Sequence, residues 1–83
     1  MGTRMGLTDK EKEWADRARR FVKAEIKRAG ITYGELAKRL TEHGLDETEA
    51  SISSKLQRGT FAVTFFLATL AALELEGVRL EDL

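Results

Sequence analysis

The chain has 83 residues, enough for one domain with a small core, and it contains neither cysteine nor proline. Disulfide and thiolate-metal stapling are therefore excluded, and 34% charged against 42% hydrophobic residues suits a helical globular domain better than a disordered one. Fourteen Lys and Arg balance fourteen Asp and Glu, yet the balance is uneven along the chain: +4 over residues 1–30, −1 over 31–60 and −3 over 61–83. A basic first third is a pointer to an anionic partner, and a solvated helix face accounts for it equally well. No apolar stretch reaches the 18 residues that span a bilayer and residues 1–6 lack the apolar core of a signal peptide, so a cytoplasmic protein without membrane contact is expected. Residues 1–7 read as a flexible N-terminus, residues 8–83 as a single helical domain, and either Met1 or Met5 can serve as the start.

Thr8-Asp9-Lys10-Glu11 has the spacing of a capping box, and Trp14, Ala18, Phe21, Val22, Ile26 and Ala29 follow at helical intervals. Gly30 is the stop, so a first helix is predicted over residues 9–29. Thr32 and Glu35 repeat the box, with Ile31 placed to staple onto Leu36 and with Leu36, Ala37 and Leu40 inward; this helix runs to Glu42, before Gly44. His43, the single histidine, is a C-capping side chain in this reading. Asp46 and Glu49 predict the start of a third helix, with Ala50, Ile52 or Ser53, and Leu56 inward and Gly59 as its end. Thr60 is the expected cap of a fourth, over Phe61–Leu73, and Val78–Leu83 supply one last turn that packs Leu80 and Leu83. Nothing alternates with the period of a strand, so the fold class is all-α, a compact domain of four to five helices.

The fourth helix has no charged residue. Val63, Phe66, Leu67 and Leu70 form one face, and Phe61, Phe65, Ala68 and Ala72 another. A helix apolar all round is buried all round, either as the central core helix or by meeting a partner. The second face is the expected homodimer interface. Catalysis is not expected. Ser51, Ser53 and Ser54 have no evident base, and the glycines stop helices rather than cradle a phosphate. One histidine without cysteine makes no transition-metal site, and neither a cofactor nor a small-molecule substrate is implied.

Two short capped helices in succession have the layout of a helix-turn-helix. Ile31-Thr32-Tyr33-Gly34-Glu35-Leu36-Ala37-Lys38-Arg39-Leu40 resembles the first motif helix of phage-repressor-like (lambda repressor/Cro type) domains, and Lys55-Leu56-Gln57-Arg58-Gly59 resembles the end of their recognition helix. The resemblance covers roughly residues 12–83. It implies a small sequence-specific DNA-binding regulator, homodimeric, with the third helix in the major groove of double-stranded DNA. Around Thr32-Tyr33 and Arg58-Gly59-Thr60-Phe61 the chain is also similar to a bacterial helix-turn-helix-like family of unknown function. It departs from the repressor pattern in two spacings: Thr41-Glu42-His43 precede Gly44, and Leu45 to Leu56 is about one turn longer. The outward stripe expected to meet DNA is Thr48, Ser51, Ser54, Lys55 and Arg58, with Tyr33 implied by the resemblance as a phosphate contact. Solvated surface is the plain alternative for that stripe, as solubility is for Arg17, Arg20, Lys23 and Lys27. Asp46, Glu47 and Glu49 favour the helix dipole and repel phosphate. A protein-interaction module on the same scaffold is therefore the competing expectation.

Overall fold

Helix punctuation is largely realised in the computed structural model, which describes residues 8–83 and has no strand among them. The flexible N-terminus expected over residues 1–7 lies outside the described residues. The helices are α1 (Asp9–Ala29), α2 (Tyr33–Glu42), α3 (Glu49–Arg58) and α4 (Val63–Ala72), followed by a short 3-10 turn over Leu80–Asp82. None is long and apolar enough to cross a membrane.

The first cap forms as its residues dictate. The Glu11 amide donates to Thr8 Oγ1 at 3.1 Å, and Glu11 Oε1 accepts from the Thr8 amide at 2.8 Å. At α2, Thr32 Oγ1 accepts from the Glu35 amide at 3.1 Å, while the Glu35 carboxylate takes Arg39 Nε at 3.4 Å instead of reaching back. Three helix ends close alike. A left-handed residue turns the chain, and the next apolar residue sends its amide back five residues: Ile31 to Ile26, Leu45 to Leu40 and Leu75 to Leu70. The left-handed residue is Gly30, Gly44 and, unexpectedly, Glu74 at φ 63°. Each closure returns an apolar side chain to the core, which Ile31, Leu45 and Leu75 all border.

Val22 and Ile26 of α1, Leu36 and Leu40 of α2, Ile52 and Leu56 of α3, and Phe65 and Ala72 of α4 with Leu73 make that core. α3 packs against both α1 and α2, and α4 packs on α2. The contact of α3 with α1 is close enough to require a glycine. Gly59 has φ 75°, and a Cβ there would stand 2.8 Å from the main-chain oxygen of Ala15.

Several sequence expectations need correction. α3 begins later than Asp46: Thr48 is its cap, Ser51 its reciprocal partner and Glu49 its first residue, so Asp46 and Glu47 belong to the preceding loop. Ala50 and Ser53 are exposed, not inward. Thr60 does not cap α4, which starts at Val63 after Ala62 with no side-chain cap. The faces of α4 divide differently: Phe65, Leu70 and Ala72 are buried, Phe66 and Ala68 are half-buried, Val63 and Leu67 are exposed, and Phe61 packs edge-on to Phe65 at 5.3 Å. Buried as they are, Phe65 and Ala72 cannot meet a partner, so of the interface expected on Phe61, Phe65, Ala68 and Ala72 only Phe61 and Ala68 keep part of their surface open. Leu80 is exposed, because the last turn is held by its backbone: Arg17 donates to the main-chain oxygens of Leu83 at 2.8 Å and Leu80 at 3.0 Å. Arg17 is thus a tether rather than a solubilising charge.

Three substitutions test these backbone features by thermal melting. Gly59→Ala is expected to cost about 3 kcal/mol, because the clash with Ala15 adds to the left-handed strain. Gly44→Ala, left-handed with open space around it, is expected to cost only about 1 kcal/mol. Equal losses would refute the close approach. Glu74→Gly is expected to stabilise by about 0.5–1 kcal/mol, since glycine takes φ 63° without penalty.

Candidate nucleic-acid interface

Ile52 and Leu56 are the large apolar residues of α3, and they fix which side of the helix is buried. Opposite them lie Ala50, Ser53, Ser54, Gln57 and Arg58, all exposed. The expected stripe divides against this frame. Ser54 and Arg58 stand on the open face, with Arg58 Nη1 donating to Ser54 Oγ at 2.9 Å. Thr48 and Ser51 are occupied with the cap: the Ser51 amide donates to Thr48 Oγ1 at 3.0 Å, and the Thr48 amide donates to Ser51 Oγ at 2.8 Å. Ser51 Oγ also donates to Glu47 Oε1 at 2.6 Å.

Lys55 is not free on the outside, as the stripe requires. Its ammonium pairs with Glu47 Oε2 and lies 4.9 Å from the centre of the Phe65 ring. The ring face attracts the cation, and the carboxylate holds it there. Tyr33, the first residue of α2, is half-buried against the core. Sequence reasoning missed Glu47 as the keeper of Lys55, and it missed Ala50, Ser53 and Gln57. The pair Ile52 and Leu56 carries the signal for the last three, since their opposite face is residues 50, 53, 54 and 57.

The Glu47 side chain is only 8% exposed. Burial pushes its carboxyl up, but hydrogen bonds from Lys55 and Ser51, with the Lys55 charge, outweigh that and hold it below its ordinary value near 4.5. The phosphate-repelling start of α3 is therefore reduced: Glu47 is neutralised, while Asp46 and Glu49 remain exposed. On α1, Asp16 pairs with both Arg19 and Arg20, so one of those two positive charges is also compensated. A concavity of about 600 Å³ elsewhere on the surface shares no residue with α3; Arg17, Phe21, Leu75 and Leu83 are among its walls. No group of three or more His, Asp or Glu converges as a metal site among the described residues.

Residues 14–78 match a family described as a Domain of unknown function (DUF6471). The chain belongs to this family. The match opens at Trp14, over which the Arg17 guanidinium lies at 4.7 Å, and closes at Val78, so it takes in all of α2, α3 and α4. No curated protein and no solved structure matches the chain.

The Glu47–Lys55 pair gives a signed pH dependence. A carboxyl whose folded pKa is depressed contributes stability that is present above its unfolded value, near 4.5, and lost as pH falls through the folded one. Glu47→Gln is expected to flatten the fall in melting temperature between about pH 5 and pH 3. At neutral pH, Lys55→Ala is expected to cost about 1–2 kcal/mol and more than Glu47→Gln, because it leaves a nearly buried carboxylate unpaired. The reverse order would overturn the account.

Proposed function

We propose that this domain binds double-stranded DNA through the exposed face of α3, acting as a small transcriptional regulator. One observation carries the reading. That face, Ala50, Ser53, Ser54, Gln57 and Arg58, has no acid and no bulky apolar side chain, and it ends on a guanidinium. Such a surface suits the major groove: Gln57 offers a bidentate amide to adenine, Arg58 a fork to guanine or phosphate, Ala50 a methyl for thymine, and the serines hydrogen bonds to several edges. The capped pair α2 and α3 and the repressor-like pattern of Ile31–Leu40 and Lys55–Gly59 support it further, with Tyr33 and the exposed Lys38 available to phosphates. Because Asp46 and Glu49 crowd the start of α3, the reading places the contact on the half that runs from Ser53 to Arg58. A second reading, a non-catalytic protein-interaction module, is favoured by Val63 and Leu67, which stand exposed on α4.

Fluorescence anisotropy with random-sequence duplex at low salt tests the DNA reading. Binding is expected within tens of micromolar protein, weakening steeply as salt rises. Arg58→Ala is expected to weaken it about tenfold, whereas Glu49→Gln tightens it. No binding by the folded protein at tens of micromolar would refute the proposal.

A further inference from the structure

The side of α4 turned from the core carries Val63, Thr64, Leu67 and Ala71, all exposed, with Val63 at 69% and Leu67 at 56%. These positions form a single helical stripe. No residue from Thr60 to Leu73 is charged, in a chain where a third of residues are. Fourteen uncharged residues, with a large valine and leucine left in water, mark a surface that is covered in use.

We infer that a second copy of the chain docks on this stripe, α4 against α4, antiparallel about a two-fold axis at Leu67. Charge selects both the occupant and its orientation. The charges nearest the stripe, Glu35, Arg39, Glu42 and Glu74, gather at its Ala71 end; a partner with ions over Val63, Thr64 and Leu67 would bury them against side chains that carry no counter-charge, so the partner's face there must be equally uncharged. Another copy meets that requirement by identity. The ends of α4 are not neutral. Its first turn holds no acid and presents the positive end of the helix dipole, while Glu74 and Glu76 follow its negative end. Antiparallel docking sets the positive end of one helix beside the acidic end of the other; parallel docking would set acid beside acid. With the axis at Leu67, Leu67 meets the partner's Leu67 and Val63 meets the partner's Ala71, large against small. The stripe is about 15 Å long, which gives less than the ~1,200 Å² at which specific stable interfaces begin, so the association is reversible and in the micromolar range. The inference rests on α4 alone and does not require that α3 touch nucleic acid.

Sedimentation equilibrium without DNA, from about 5 to 500 µM protein, reads the association directly. The weight-average mass is expected to climb from one chain towards two. Leu67→Glu is expected to remain monomeric with an unchanged helical circular-dichroism spectrum, and mixing it with Leu67→Lys is expected to restore the dimer. Because the chain has no cysteine, Leu67→Cys supplies one thiol per chain, and mild oxidation is expected to link it to itself far faster than Val63→Cys. A wild-type chain that stays monomeric up to about 500 µM, or a dimer indifferent to Leu67→Glu, overturns the interface. Val63→Cys linking as readily as Leu67→Cys overturns the antiparallel arrangement.

Discussion

The contact between Gly59 and the backbone of Ala15 governs how α3 is presented. α3 has ten residues and buries only Ile52 and Leu56 fully, which is too short to persist as a helix by itself. Its geometry is imposed at both ends. At the C-terminal end the chain turns left-handed at Gly59 while touching α1, an approach open only to a residue without a side chain. At the N-terminal end the Thr48–Ser51 box fixes where the helix begins, and Glu47 folds back onto Lys55. What remains outward is decided by those two anchors, so the open face of α3 follows from packing.

Folding and recognition compete for the same cation. Lys55 is placed to join a positive stripe with Arg58, yet it neutralises a carboxylate and covers the Phe65 ring. The first contact offsets the burial of a carboxylate 8% exposed, and the second sets the cation over the face of a core ring. The open face thereby keeps one guanidinium and a set of uncharged hydrogen-bonding groups, a surface better suited to discrimination than to strong electrostatic attraction.

The helices were legible wherever local chemistry decides the outcome. Thr8 with Glu11, and Gly30 after a 21-residue periodic run, place α1 to the residue, and Thr32 and Gly44 bracket α2. Two cap patterns overlap before α3, Asp46 with Glu49 and Thr48 with Ser51, and local spacing does not choose between them. The choice is tertiary, since Glu47 must lie in the loop to reach a partner eight residues away. On α4 the two apolar faces carry no polar marker of direction, and polarity misleads: Thr69 is fully buried while Val63 and Leu67 are exposed. The candidate site was half legible. Ser54 and Arg58 follow from periodicity, but the loss of Lys55 depends on a ring and a carboxylate brought in from other elements. The left-handed Glu74 has no sequence signal, because glycine is the residue that such a turn normally announces.

Arg17 grips the main-chain oxygens of Leu80 and Leu83, more than sixty residues further on. The first helix and the last described turn are thus clasped together, within about two helical turns of the first residue of α1. Because one guanidinium holds main-chain oxygens rather than side chains, the position of the last turn depends on Arg17 and hardly on which side chains Leu80–Asp82 carry.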